Sequence, residues 1–417
     1  MMSLIIFVIC YTLFIFFSQK RPQIALVSAV ALVATRTINP IQFFTFVEWN
    51  IITLFLGTAI LAELFMLSKM PAVLAEWVVD RTTTARGAVL GICLLSSILS
   101  IFVENVAVVL LIGPIAYKIC ERVGINPVKP LIFIAIFSNI QGTATLIGDP
   151  PSMILASYMN MSFLDFFIYK GKISIFFFVQ AGALAGLLVA GWLLRKETQP
   201  IAQVPQEKPL SLVPSYLLGL LVIVLSIASL VDPHFGWFAG TSAMAIGILG
   251  IVWFALHAKW IPTKTMLTQL DWGTTIFLAS VFILVQALIN DGWLDLLAQS
   301  IDSYATEHLL ETFVLILLLS ILISAFVDNV PYLLAMIPVV QTISKGQHLE
   351  LLMFALLIGA CLGGNIVPFG ASANIVAVGF LKRHNHPVSF LEFTNLGILL
   401  TAASVVASSI FLWQVWA

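Results

Sequence analysis

Four carboxylates stand in strongly apolar sequence: Glu63, Glu104, Asp149 and Asp328. An acid at the centre of a membrane helix costs roughly 2.5–3.5 kcal/mol on insertion scales, and such a cost marks a route for an ion or a proton. All four are therefore candidate proton carriers. Asp149 sits in QGTATLIGDPPS (141–152), where proline removes N–H donors and pushes the preceding residue out of the helical region. The spacing predicts a span broken into two half-helices, with free carbonyls on one side of the break and free N–H groups on the other. Gly142 and Gly148 open the two non-helical pieces, and Thr143, Thr145, Asp149 and Ser152 are expected to form a cage of oxygen ligands for a hard cation such as sodium. A second stretch, GGNIVPFGASAN (363–374), repeats the break through Gly364, Asn365, Gly370, Ser372 and Asn374 without an acid.

Glu104-Asn105 and Asp328-Asn329 interrupt two further apolar runs. Their carboxylate and amide oxygens are read as completing the cation site or carrying a proton. The plainer alternatives are that the prolines only kink a helix, that Asp149 caps the half-helix after it, and that the tip residues satisfy their own turns. Glu63, likewise, is placed to snorkel toward Lys69. No Lys, Arg or His is expected among these acids, so a multiply charged anion would meet unpaired like charge at low dielectric. The site is expected to take cations, protons, or a solute that is neutral or accompanied by cations.

The elements that must hold these residues are membrane elements. Of 417 residues, 60% are hydrophobic and 9% charged, whereas a soluble domain carries about 25% charged residues. The lipid bilayer is the expected surroundings. Net charge is -1 and the basic residues are scattered, which is no nucleic-acid footprint. Cys10, Cys93, Cys120 and Cys361 lack C-x-x-C spacing, so neither disulfides nor a zinc site is expected. The segment from Ser3 to Phe17 has no positive region before it and no cleavage site after it, and reads as a retained helix.

Ten stretches suit spans of about 20 apolar residues: 3–17, 22–38, 49–67, 131–158, 172–194, 213–231, 237–257, 274–290, 351–381 and 392–416. Two others, 87–120 and 308–344, are too long for one crossing and read as re-entrant hairpins with the acid-Asn pairs at their tips. With that reading the segments ending near Lys20, Lys69, Lys118, Arg195, Lys259 and Lys382 share one side. That side holds 15 of the 19 Lys and Arg residues, leaving Arg36, Lys170, Lys172 and Lys345 opposite. The basic side should be cytoplasmic, which puts both termini outside.

FVENVAVVLLIGP (102–114) matches FVDNVPYLLAMIP (326–338), and Trp49, Gly142 and Gly148 find counterparts in Trp272, Gly364 and Gly370. Five spans per half is an odd number, so the halves must be inverted relative to each other. The expected fold is an all-α polytopic membrane protein with two inverted repeats, each of five membrane helices plus one re-entrant hairpin, and with broken helices at the midplane. That pattern is typical of secondary transporters. The N-terminal repeat is 1–194 (hairpin 87–120, broken helix 131–158) and the C-terminal repeat 213–417 (hairpin 308–344, broken helix 351–381). A cytoplasmic linker, 195–212, with Pro200, Pro205 and Pro209, joins them.

At these same residues the chain resembles the ion transporter superfamily, in its arsenite permease and P protein-like branch, related to bacterial sodium/proton antiporters. The resemblance rests on FVENVAVVLL, GTATLIGDPPS, FVDNVPYLLAMIP and GACLGGN with GASANIVAVG, in that order, and runs from about Trp49 to Gly397. It implies a scaffold, a moving transport domain that carries the hairpins and broken helices, an elevator-type movement and a homodimer. It places the binding loops at Glu104-Asn105, Gly142 to Ser152, Asp328-Asn329 and Gly364 to Asn374. The Ser-Asn-Thr tips of the superfamily's carboxylate transporters are absent, which disfavours a di- or tricarboxylate (citrate-type) substrate.

The expected function is secondary active transport, by symport or antiport, of a small inorganic solute such as arsenite, antimonite or an inorganic anion. The coupling ion is Na+ or H+, with sodium held at the hairpin tips and broken-helix loops, and no cofactor is expected. The alternative is a plain Na+/H+ antiporter. The setting implied is the bacterial inner membrane. An enzyme is not expected: Asp149 and Asp328 lack the surrounding motifs of intramembrane aspartyl proteases, and no H-E-x-x-H occurs.

Overall fold

The computed structural model describes residues 1–17, 20–201, 208–258, 260–294, 296, 308–344 and 347–417. Pro205 of the expected linker, and Lys259 and Lys345 of the charge sorting, lie outside the described residues. The first elements are α1 (Met2–Phe16), α2 (Arg21–Ala34), α3 (Pro40–Thr45) and α4 (Trp49–Leu67), followed by the shorter α5 (Met70–Asp80). A hairpin of α6 (Ala85–Ser100) and α7 (Asn105–Val123) comes next, then α8 (Val128–Gly142) and α9 (Pro150–Met159). A two-stranded turn, β1 (Ile168–Tyr169) and β2 (Lys172–Ile173), leads into α10 (Ile175–Leu193). Beyond the linker come α11 (Val213–Val231), α12 (Phe238–Trp253), α13 (Thr263–Gln269) and α14 (Trp272–Asn290). The second hairpin is α15 (Leu309–Ser324) and α16 (Asn329–Ser344), followed by α17 (Leu349–Gly363), α18 (Ser372–Arg383) and α19 (Phe390–Trp416).

Six of the described helices are long and apolar enough to cross a membrane: α4, α10, α11, α12 with its extension to Ala258, α14 and α19. The chain is an integral, multi-pass membrane protein. The first two helices are short: α1 has the 15 residues expected of 3–17, and α2, with 14, falls short of the expected 22–38. At 1.5 Å per residue α1 and α2 are about 22 and 21 Å long, short of a hydrocarbon core of roughly 30 Å. Lys20, Arg21 and Pro22 stand at their junction, Arg21 and Pro22 as the first residues of α2.

Two helices are buried almost all round, α8 from Pro130 and α17 from Leu351. Both are apolar on every face, as a helix surrounded by protein must be. Around them the halves interlock: α18 packs on α7 and α8, while α9 packs on α16 and α17. A separate layer is built from α4, α11 and α12, and α14 joins it to α1 and α2. Helices α4 and α12 run parallel at close range because Gly57 faces the Ala243 backbone and Gly240 faces Asn50. Small residues are what allow two membrane helices to approach this closely.

The ends of the expected linker are tied down. The Glu197 and Gln199 carbonyls accept from the Arg86 and Ala85 N–H groups at 3.0 and 2.9 Å, and the Leu210 N–H donates to the Ser68 carbonyl at 2.9 Å. Lys69, Arg86 and Arg195 therefore gather at one end of the molecule. Since α12 runs parallel to α4, its C-terminus reaches that same end, and α14 starts there.

The α4–α12 seam yields a direct test. Gly57→Val would drive a side chain into the Ala243–Met244 backbone, and overpacking of this kind costs about 1–3 kcal/mol. The variant should lose several degrees of apparent melting temperature in detergent, read by fluorescence-detected size exclusion. Gly219→Ala, where nothing stands within 4 Å, should melt with the wild type.

Candidate functional site

Each hairpin turns at its acid. Helix α6 ends at Ser100 and α7 begins at Asn105 with Glu104 at its N-cap; α15 ends at Ser324 and α16 begins at Asn329, one residue after Asp328. Asp149, at the N-cap of α9, is extended (φ -153°, ψ 148°), as the residue before a proline must be. Pro150 then stands at the helix start, where its missing N–H is no loss. Asp149 does not cap its own helix. It stands instead on one cavity wall with the side chains of Asn105 and Asn329, one from each hairpin tip.

Neighbouring groups fix that arrangement. The Ser100 hydroxyl is shared between the Asn105 amide oxygen and the Ser138 carbonyl, which holds the Asn105 amide in place. The Thr145 hydroxyl donates to the Ile101 carbonyl at 2.6 Å and ties the break to the first tip. Gly142 lies directly against the Asn105 amide, and Gly148 against the Gly142 carbonyl, so neither position has room for a Cβ. In the second break Gly370 meets Gly364 in the same way.

Glu104, Asn105, Asp149, Asp328, Asn329 and Ser372 line one cavity of about 80 Å³, room for two or three waters or a partly hydrated ion at ~30 Å³ per water. Asn139, Cys361 and Gly370 complete the far wall, and Thr274 and Phe277 the near one. Thr274 and Phe277 belong to the first two turns of α14, so the cavity lies toward the end of the molecule that holds Lys69, Arg86 and Arg195. Four helices, α7, α9, α16 and α18, begin at its wall. A helix N-terminus carries about +0.5 elementary charge, so the four supply about +2. Three are preceded by a carboxylate, Glu104, Asp149 or Asp328; the fourth, α18, is preceded by Ala371.

The expectation that no basic group accompanies the acids fails at Asp328. Its Oδ2 accepts from Arg21 Nη1 at 2.8 Å, and the Arg21 side chain is only 9% exposed. Its Oδ1 accepts the Val330 N–H at 3.2 Å. Arg21 is the first residue of α2, and in sequence it counts among the boundary charges. The shortness of α1 and α2 and the packing of α2 on α14 carry it inward instead. Among the described residues no basic side chain forms a salt bridge with Glu104 or Asp149.

Other expected ligands serve the backbone. The Thr143, Thr145 and Ser152 hydroxyls all donate to backbone carbonyls and are fully buried away from the cavity. The oxygen cage expected from them around Asp149 does not form. Asn365 and Asn374 lie one layer behind the cavity: both amide oxygens accept from Asn139 Nδ2, at 2.8 and 3.0 Å. The Asn374 amide also donates to the Gly364 and Val367 carbonyls, closing the second break as the Asx groups of a turn do. Glu63 lies on α4, outside the cavity. Asn139, Cys361, Thr274 and Arg21 were not singled out from sequence. For Asn139 a signal existed, an amide in the otherwise apolar run LIFIAIFSNI.

A family model described as citrate transporter (CitMHS) matches residues 11–359. The 46 kDa membrane protein of Mycobacterium leprae is 31% identical over 99% of this chain and 97% of its own length. The P protein of Sus scrofa is 26% identical over 96% of this chain and 58% of its own length. The crystal structure of the Alcanivorax borkumensis YdaH transporter superposes with a TM-score of 0.62 at 14% identity, covering 89% of this chain and 85% of that one, so the two share a fold.

The close approach of Gly142 to Asn105 is open to experiment. Gly142→Ala should displace the Asn105 amide from Asp149 and reduce transport by at least ~10-fold, about 1.4 kcal/mol, with normal insertion. Gly113→Ala, in open space on α7, should transport at close to the wild-type rate in the same assay.

Proposed function

The chain belongs to the citrate transporter (CitMHS) family of the ion transporter superfamily, and from that premise we propose an H+- or Na+-coupled secondary transporter of a small inorganic solute such as arsenite or antimonite. Transport itself follows from the family; the coupling and the cargo are the proposal. The observation that carries it is the meeting of Asp149, Asn105 and Asn329 at the wall of one cavity. A carboxylate beside two neutral amides keeps lone pairs free for a cation or a proton, and both hairpin tips stand next to its charge. Glu104 and Asp328 stand beside it as further cation ligands or proton carriers.

The charge balance supports co-transport. Three carboxylates face about +2 from four helix ends and +1 from Arg21, a sum close to zero. A cation bound near Asp149 makes the cavity attractive to an acceptor oxygen, and the start of α18 is where that oxygen fits: Ser372 is exposed there and no acid precedes it. A small neutral or singly charged solute suits the volume. The second reading, a citrate-type substrate, is favoured by the family's description and by Arg21, and it requires a wider cavity than the one observed.

In this proposal the hairpins and broken helices move as one body against α4, α11, α12 and α14, in an elevator-type movement between inverted halves 1–194 and 213–417. The end with Lys69, Arg86 and Arg195 is the cytoplasmic one by its charge, so the cavity is near the cytoplasm in this conformation. A homodimer in a bacterial inner membrane, with both termini outside, completes the reading. The plain Na+/H+ antiporter remains the alternative.

The test is flux into proteoliposomes under imposed sodium and proton gradients, with arsenite, antimonite, chloride, succinate and citrate. Gradient-driven arsenite or antimonite movement is the expected outcome. Sodium-dependent pH change without any solute would make the antiporter the right reading, and uptake of citrate alone would replace the inorganic cargo. Asp149→Asn should abolish coupled flux by more than ~100-fold, about 2.7 kcal/mol, with the protein folded and inserted.

A further inference from the structure

The Arg21–Asp328 pair joins two layers of the molecule. Arg21 begins α2, which packs on α1, α3 and α14; Asp328 is the tip of the hairpin whose α16 packs on α9 and α17. Three features separate this pair from an ordinary structural salt bridge. Arg21 occupies the first turn of a helix, the positive end of the dipole, where a cation is disfavoured. The helix therefore does not explain its presence, and Asp328 does. The grip is also one-handed: Nη1 reaches Asp328 at 2.8 Å, while Nε is buried with no hydrogen-bond partner. A two-pronged guanidinium–carboxylate clamp is the stable form, and this is not it. Finally, the carboxylate that Arg21 holds also lines the cavity.

The other groups that face Asp328 are Asp149 from the broken helix and Tyr11 from α1, whose buried hydroxyl has no hydrogen-bond partner. Behind Asp149 stand Glu104 and, at the start of α14, Asp271. Asp271 is committed to capping α14 through the Thr274 N–H at 2.8 Å. Among the described residues Asp328 thus has one positive partner, Arg21, and otherwise neutral or acidic neighbours.

Resting on the reading of the cavity as a cation-coupled site, we infer that Arg21 is a built-in competitor for the coupling cation: it occupies Asp328 when the site is empty, and the incoming cation or proton must displace it. Displacement does two things. It frees a carboxylate oxygen for the cation, and it releases the second hairpin tip from α2. The tip is then free to move only when its charge has been balanced from outside, which is the condition for coupled rather than leaking transport. Arg21 acts through Asp328 and is a positioning residue.

The test uses full-length protein in proteoliposomes, with solute flux measured against sodium at fixed pH and, separately, against an imposed pH gradient at fixed sodium. Arg21→Gln should lower the half-saturating cation concentration by ~10-fold, because its competitor is gone, and should permit solute leak without any cation gradient. Arg21→Lys keeps the charge and should restore coupling, with a shift of less than ~3-fold in the half-saturating concentration. An Arg21→Gln protein with wild-type cation dependence and no leak overturns the inference; so does an Arg21→Lys protein as leaky as Arg21→Gln. Asp328→Asn separates this failure from that of the underlying reading. Loss of cation dependence in Asp328→Asn beside an unchanged Arg21→Gln refutes the competitor alone, whereas wild-type dependence in Asp328→Asn removes the cation site on which it rests. If Arg21→Gln does not insert, Arg21→Met takes its place, and native Cys361, which lines the cavity, provides the readout. Its labelling by an impermeant thiol reagent should change with cation at a shifted midpoint, and an unshifted midpoint counts against the inference.

Discussion

The structure turns on one carboxylate that shares a cavity wall with two amides from opposite halves of the chain. The Asp149 side chain is not satisfied within its own broken helix: Pro150 and Pro151 have no N–H to donate, and the Ser152 N–H goes to the Asp149 carbonyl instead of its carboxylate. Its polar surroundings must come from outside, and the amides of Asn105 and Asn329 are what line the cavity wall beside it. For both to arrive, two hairpin tips must meet at the break between α8 and α9. The interlocking of α9 with α16 and α17, and of α18 with α7 and α8, is the packing that delivers them. Ser100, Thr145 and the glycines at 142 and 148 then set the distances.

Hydrocarbon gives unpaired backbone and unpaired charge nowhere to go, and this protein meets both problems with the same pieces. Each hairpin turn and each break creates a helix N-terminus with unsatisfied N–H groups. Placing a carboxylate before three of those four ends balances the acid against the dipole. The hydroxyls of Thr143, Thr145 and Ser152 and the amide of Asn374 close the remaining carbonyls. What stays uncommitted is small: carboxylate oxygens at the cavity wall, Ser372, and the start of α18. In the proposed reading, the transport site is the part of a polar seam that the protein leaves unsatisfied.

Much of this was legible beforehand. The acid-Asn interruptions at 104–105 and 328–329 became the two hairpin tips, and GDPP and FGAS became the two breaks, because proline, glycine and a charge in apolar sequence have few structural solutions. Less legible was which polar residues look inward. A threonine that ligates a solute and a threonine that closes a carbonyl are the same residue in the same motif; only the hydroxyl's partner tells them apart, as with Thr145 and the Ile101 carbonyl. Helix α8 offered no help either, since a helix buried all round has no polar face to mark the side on which Asn139 stands.

Composition and spacing determined that the chain is a membrane protein, where its helices must break, and that Asp149, Glu104 and Asp328 are costly enough to require a purpose. These are local facts, set by backbone donors and by the expense of charge in hydrocarbon. Only the tertiary structure decided that Arg21 meets Asp328 across 307 residues of sequence, that one asparagine from each hairpin shares a cavity wall with Asp149, and that four helix starts share one wall. No periodicity encodes such meetings, because they depend on how separate elements pack. A basic residue at the end of an apolar run looks the same whether it faces lipid headgroups or an acid in the core.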